Sequence, residues 1–333
     1  MTWWPLSRNT KVAYDFVLAD SNLLAGFKEI SVLMPTPPIS ILGFIGLGVM
    51  GEPMCGHLAR RAGKPILAHD LRPEPLERLA SNAVTAASVA RIAAEADVIL
   101  MSLPDGKAMA SVVAELEPHL KPGQCVVDTS TSSVALTREI GERLTARGIL
   151  FADAPVARTR EAAARGELSI MVGATDETFA HVRPILETMG TDVTHCGPVG
   201  CGQVVKILNN MLVFQHCAAL AEAIAIGRRN GVAPEVLLPT MAMGSGDSFV
   251  LRNHGMKAML PREFPLRAFS TRYAIKDLSY ALEMAEASGL DMKAAKLAME
   301  RLRATEAAGF GDEYHPVVLN LIDPCRAESA PKS

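Results

Sequence analysis

The sequence contains no C-x-x-C pair, and its six cysteines (55, 125, 196, 201, 217 and 325) are widely scattered. That pattern excludes a disulfide scaffold or a zinc ribbon and predicts reduced thiols in a cytoplasmic protein. It has no uninterrupted run of 18 apolar residues, and the candidate near 31–49 is broken by Pro35, Pro37 and Pro38, so no membrane span is expected. It also lacks a surplus of positive charge: the formal net charge is −3, which argues against a nucleic-acid partner. The eight histidines show no metal-ligand spacing, and no metal is predicted. No internal repeat is visible.

What is present is length and apolar content. With 333 residues, 49% of them hydrophobic, the chain exceeds one small core and predicts two domains. Residues 1–40 lack the basic-then-apolar order of a signal peptide and read as an N-terminal extension outside the fold. From Ile41 onward, apolar strand-like runs (ISILGFIG, PILAHD, ADVILMSLP, GQCVVDTS, GILFADAPV, GELSIMVG) alternate with helical ones. Alternation of this kind predicts a doubly wound, mostly parallel sheet over residues 41–198. After Gly200 the strand signals stop. A stretch from Gln203 to about Arg229 without Gly or Pro, apart from one glycine at its end, predicts a long connecting helix, and 271–288, 291–308 and 313–322 read as further helices. The expected architecture is thus an α/β Rossmann-like domain, a long helix, an all-α domain over 199–325, and a tail at 326–333.

The first chemical motif is GFIGLGVMG. Gly46, Gly48 and Gly51 match G-x-G-x-x-G at a strand-to-helix turn, where Leu47, Val49 and Met50 would present backbone to a pyrophosphate. Asp70 ends the second strand 19 residues after Gly51, where a carboxylate accepts from a ribose 2′-hydroxyl. NAD is therefore the expected cofactor, while Arg72 leaves NADP open; the competing reading has Asp70 capping the helix that starts near Pro73. The second motif is GCGQVVKILNN, residues 200–210. On a helix Gly202, Lys206 and Asn210 share a face, giving an ammonium beside a carboxamide and a bare backbone patch one turn earlier for a flat ring. Lys206 lies in an almost wholly apolar run, where its charge is costly and its pKa is expected to fall into the range of a general acid/base.

Six blocks carry a family resemblance: GFIGLGVMG, Leu103–Pro104, DTSTSS (128–133), DAPV (153–156), GQVVKILNN, and IKDLSYAL with Lys276, Asp277 and Leu278. In this order over about 41–322 the chain resembles the β-hydroxyacid dehydrogenases, which include 3-hydroxyisobutyrate dehydrogenase, tartronate semialdehyde reductase and sulfolactaldehyde reductase. The resemblance implies an active site in the cleft between the two domains and subunit pairing, as a homodimer or homotetramer, through the helical one. It implies that Leu103, Pro104 and Thr131 line the nicotinamide and its ribose, with Lys276 reaching the cofactor from the helical domain. Ser130 and the turn after DAPV would hold the acid group of a small anionic substrate. Lys206 would be the general acid/base and Asn210 would orient the substrate oxygen.

Two departures stand out. Val134 replaces a common proline at the start of a helix. The family's PVSGG turn is here Pro155, Val156, Ala157, Arg158, Thr159, placing a guanidinium and a hydroxyl where bare backbone is usual, as in sulfolactaldehyde reductases. Arg158 is expected to fork onto the substrate's carboxylate or sulfonate; the alternative is a surface pair with Glu161 or Asp153. The expected activity is hydride transfer between NAD(H) and a small anionic hydroxy acid or its aldehyde or ketone, of the 3-hydroxyisobutyrate, tartronate semialdehyde, succinic semialdehyde or sulfolactaldehyde type. Imine reduction, oxidative decarboxylation and a non-catalytic dinucleotide-binding module are the alternatives.

Overall fold

The structure is a computed structural model and describes residues 38–80, 84–266 and 268–324. Of the expected extension at 1–40, residues 1–37 lie outside the described residues, as does Cys325; the last residues of the extension belong to the fold, with Ile39 packed on the core and Ser40 N–H donating to Asp97 Oδ2. The first half alternates strand and helix: β1 (Leu42–Ile45), α1 (Gly51–Arg61), β2 (Ile66–His69), α2 (Pro73–Leu79), β3 (Val84–Ala86), α3 (Val89–Glu95), β4 (Val98–Met101), α4 (Gly106–Leu116), β5 (Cys125–Asp128), α5 (Val134–Thr145) and β6 (Leu150–Asp153). There follow β7 (Val156–Ala157), α6 (Arg160–Arg165), β8 (Leu168–Gly173), α7 (Asp176–Leu186) and β9 (Gly190–Gly197). β3 and β9 are not among the strand-like runs of the sequence, and the run GILFADAPV divides into β6 and the start of β7. β3 and β7 are only three and two residues long, and β9 is half exposed, with Thr191 and Asp192 among its residues.

The sheet runs β3-β2-β1-β4-β5-β6-β8-β7, with β9 on β8. β3 through β6 are mutually parallel, and β8 then pairs antiparallel with β6 and β7. Side-chain alternation divides the core between two faces. Leu42, Phe44, Leu100 and Val127 point to the layer of α1, α2, α6 and α7, while Ile45, Ile99, Met101, Val126 and Phe151 meet α3, α4 and α5. Because β1 lies between β2 and β4, the glycine turn leaves the sheet at the switch point of strand order, where open α/β sheets form their crevice.

The second half is helical: α8 (Cys201–Arg229), α9 (Pro234–Met241), a π-helical segment at Leu251–Met259, α10 (Thr271–Ala287), α11 (Lys293–Thr305) and α12 (Val318–Ile322). α8 is the one helix among the described residues long and apolar enough to cross a bilayer. Here it is the spine of the helical layer. Ile207, Met211 and Phe214 pack on Ala274, Leu278 and Leu302, while Leu220, Ala221 and Ile224 pack on Leu238, Leu251 and Leu319. Its far end is tied down by Asp323, which faces Arg228, Arg229 and Arg262 at 3.2–3.4 Å. Val134 sits at the first position of α5, behind the N-cap Ser133, and buries its side chain against α8. The missing proline is thus replaced by a residue that joins the two halves.

Candidate active site

The glycines of the first motif separate by function. Gly46 has φ +92°, and a Cβ there would lie 2.3 Å from the Ser102 carbonyl oxygen; one at Gly51 would lie 2.0 Å from the Gly46 carbonyl oxygen. Both are required by the chain's own packing. A Cβ at Gly48 would meet nothing within 4 Å, so this position faces open space. α1 begins without a side-chain cap, as do α2, α8, α9, α11 and α12. An uncapped N-terminus behind an open glycine suits a pyrophosphate.

Asp70 braces the same turn. Leu47 N–H donates to its Oδ2 at 2.6 Å, and Arg72 N–H and Nε donate to Oδ1 at 2.9 and 3.2 Å. Burial pushes this carboxyl up, but the hydrogen bonds from Arg72 and Leu47 outweigh it and hold the pKa below the ordinary value. The capping alternative is not adopted: the N-cap of α2 is Arg72, with no side-chain cap bond. Residues 41–80 therefore fit the adenosine end of a dinucleotide.

At the other end, the loops after β4 and β5 interlock. Leu103 N–H donates to Ser130 Oγ at 2.9 Å. Ser130 N–H donates to Asp128 Oδ1 at 3.0 Å, and Ser132 Oγ donates to Asp128 Oδ2 at 3.4 Å. Lys276 on α10 reaches across from the helical half and donates to the carbonyls of Pro104 at 3.0 Å and Thr131 at 3.1 Å. The rings of Tyr273 and Tyr280 flank its ammonium at 5.6 and 5.5 Å. Lys276 thus ties α10 to the loops that carry Pro104 and Thr131.

Lys206 and Asn210 are both buried on the inner face of α8. Burial lowers the Lys206 pKa first, Lys276 lowers it further, and Asp277 opposes them. Arg158 does not contribute to this lowering. Asn210 Nδ2 donates to Asp277 Oδ2 at 2.6 Å, so the carboxamide is oriented by a carboxylate that is only 1% exposed. The other oxygen, Oδ1, lies 3.1 Å from Lys276 Nζ as an ion pair without hydrogen-bond alignment. Asp277 enters the sequence only within the block IKDLSYAL, with no role attached. Its signal was available: an acidic residue on the apolar stripe Ala274, Leu278, Ala281, Ala285 must have a buried partner.

Two expectations need correction. The bare patch at Gly202 is not open to a ring, since a Cβ there would lie 2.4 Å from the Met171 carbonyl oxygen and 2.8 Å from Asp153 Oδ2. The glycine instead lets α8 press against β8. Arg158 is engaged within the chain: its Nη2 meets Asp192 Oδ2 at 2.5 Å, and Nη1 donates to the Glu167 carbonyl at 2.7 Å and Thr191 Oγ1 at 2.9 Å. The partner is neither Glu161 nor Asp153, because a φ of +84° at Arg158 turns the side chain towards the start of β9. Thr159 Oγ1 accepts from Ala162 N–H as the N-cap of α6, and Ala157 is buried in the β7–β8 pair. Asp153 lies within the fold: Gly200 N–H and Gln203 N–H donate to its two oxygens at 2.6 and 2.8 Å, and burial raises its pKa to about 6 despite them.

Residues 41–197 match the model described as the NAD binding domain of 6-phosphogluconate dehydrogenase, and residues 200–322 match NAD-binding of NADP-dependent 3-hydroxyisobutyrate dehydrogenase. The NAD-dependent L-serine dehydrogenase of Pseudomonas aeruginosa is 32% identical over 296 residues, 86% of this chain and 99% of that protein. The chain belongs to the 3-hydroxyisobutyrate dehydrogenase family of β-hydroxyacid dehydrogenases. Family membership makes it an NAD(P)-dependent dehydrogenase acting on the CH–OH group of hydroxy acids. The 2-(hydroxymethyl)glutarate dehydrogenase of Eubacterium barkeri is 31% identical over 284 residues, 84% of this chain and 94% of that protein. The structure of Mycobacterium tuberculosis 3-hydroxyisobutyrate dehydrogenase with L-serine superposes with a TM-score of 0.78 at 28% identity, covering 86% of this chain and all of that one.

Proposed function

We propose that the protein interconverts a small 3-hydroxy acid, HO–CH2–CHR–COO−, and its semialdehyde, with NAD(H) as the preferred cofactor and Lys206 as general acid/base. The observation that carries this reading is the buried Lys206–Asn210–Asp277 group beside Lys276, which ties it to the loops after β4 and β5. L-serine, 3-hydroxyisobutyrate and 2-(hydroxymethyl)glutarate, named for relatives of this chain, share a primary alcohol one carbon away from the carbon that bears a carboxylate.

Bound NAD+ supplies the hydride acceptor. Neutral Lys206 takes the hydroxyl proton at Nζ as the adjacent C–H hydride departs, leaving the C=O of the semialdehyde. In reduction, the ammonium returns that proton to the alkoxide oxygen. Asn210, its amide held by Asp277, orients the reacting oxygen. Ser130 and the backbone of the 157–159 turn receive the carboxylate, and Arg158 acts there by holding the turn in shape. Engagement of Arg158 with Asp192 favours carboxylates over sulfonates. Arg72 is already paired with Asp70, which favours NAD over NADP. Exposed Val205, Leu208 and Leu212 on one side of α8 support pairing of two copies through the helical half, and free Cys55, Cys125, Cys196, Cys201 and Cys217 support a cytoplasmic setting.

The test is a steady-state screen of L-serine, 3-hydroxyisobutyrate, 2-(hydroxymethyl)glutarate and a sulfonate analogue with NAD+ and NADP+. Oxidation confined to the sulfonate, or to substrates lacking the CH2OH group, rejects the assignment.

A further inference from the structure

We propose that Gln203 is a positioning residue that fixes Lys206 against the loop at Ser130–Ser132; this rests on the reading of Lys206 as the acid/base. Gln203 is fully buried. Its Nε2 donates to the Ser130 carbonyl at 2.8 Å, and its Oε1 accepts from Ser132 N–H at 3.2 Å. The intervening Thr131 carbonyl is taken by Lys276 Nζ at 3.1 Å. Three consecutive residues of the loop are therefore held by side chains from α8 and α10.

Only a carboxamide of this length offers a donor and an acceptor at once to two backbone groups of opposite polarity. The backbone N–H of Gln203 is itself fixed by Asp153 Oδ2 at 2.8 Å, and Gly202 is wedged against the Met171 carbonyl. These contacts set the height and rotation of the first turn of α8. Lys206 lies three residues further on, a rise of about 4.5 Å along the helix, so its height over the loop follows from these bonds. The loop in turn carries Ser130 and Thr131, so the proton-transfer group and the substrate and nicotinamide contacts share one frame. Misplacement of reacting groups by about 1 Å can cost on the order of 100-fold in rate.

The experiment is a double-mutant cycle on the full-length protein, read by kcat, by NADH Kd from fluorescence and by thermal unfolding. Gln203→Met removes both side-chain bonds. Gln203→Asn is carried in parallel, since it keeps an amide but is one methylene too short to span both groups, and it preserves the measurement if the methionine variant does not fold. Each is expected to lower kcat by about 10- to 100-fold with NADH Kd within about threefold of wild type. In a Lys206→Ala background, followed by single turnovers, the further loss should be under about threefold, because a positioning residue has nothing left to position. Equal losses in both backgrounds, or an unchanged kcat, overturn the proposal. A Lys206→Ala protein with full activity instead overturns the assignment of Lys206 itself.

Discussion

Asn210 Nδ2 lies 2.6 Å from Asp277 Oδ2, a hydrogen bond that joins α8 to α10 inside the site. Through it the helix bearing Lys206 and the helix bearing the loop-gripping Lys276 hold a common geometry, since Asp277 also faces Lys276 at 3.1 Å.

Removing the amine tests the chemistry most directly. Lys206→Ala should reduce kcat by about 10²- to 10⁴-fold, the contribution of a general acid/base. NADH binding, measured by fluorescence titration, should change little, because the contacts proposed for the dinucleotide are the turn after β1, Asp70, the loops after β4 and β5 and Lys276, not Lys206.

The pH dependence follows from the lowered pKa of Lys206. Alcohol oxidation needs the neutral amine, so its rate should rise with pH and level off, with a midpoint below the ordinary lysine value of 10.5. Aldehyde reduction needs the ammonium and should fall along the same limb. Asp277 raises this pKa, so Asp277→Asn should move the midpoint to lower pH while lowering kcat; pH–rate profiles of both proteins check the sign.

The glycine turn offers a separation of binding from folding. Gly51→Ala places a methyl 2.0 Å from the Gly46 carbonyl oxygen and should destabilise the protein, whereas Gly48→Ala meets nothing and should leave its melting temperature near wild type. Gly48→Ala should nevertheless weaken NADH binding by about tenfold or more, because the methyl stands where the pyrophosphate approaches. Equal NADH Kd in wild type and Gly48→Ala would place the cofactor elsewhere.

Cofactor choice should turn on Asp70. Asp70→Ser releases Arg72 and removes the charge that repels a 2′-phosphate. The ratio of kcat/KM for NADPH over NADH is expected to rise by about 10-fold or more, a shift of roughly 1.4 kcal/mol.

Arg158→Gly opposes two small effects. A non-glycine residue in the left-handed region costs roughly 1–2 kcal/mol, and the pair with Asp192 is exposed and therefore contributes only about 0–1 kcal/mol. Unfolding stability should change by no more than about 1 kcal/mol. The KM for 3-hydroxy acids should stay within about threefold, as expected for loss of a residue that shapes the turn without touching substrate. A KM raised tenfold or more would mean that the guanidinium leaves Asp192 for the substrate.

Much of this molecule was legible in one dimension. The buried parallel strands are continuous apolar runs, α8 from Gln203 onward is a long stretch broken only by late Gly227, and the glycine fingerprint falls between a strand signal and a helix signal. Lys206 announced itself because an ammonium in an apolar run demands an explanation. These are local properties, governed by backbone sterics and side-chain periodicity within a few residues. What the sequence left open depended on groups far apart in the chain. Arg158 could have met Glu161, Asp153 or a substrate; the left-handed turn delivered it to Asp192, 34 residues away. Gly202 was open on an isolated helix and filled once β8 docked. Asp277 and Gln203 acquired roles only when α8, α10 and the 130–132 loop came together, 67 and 71–73 residues apart in sequence. A buried hydrogen-bonding group must find its complement, but the chain alone does not say which of many complements folding brings within 3 Å.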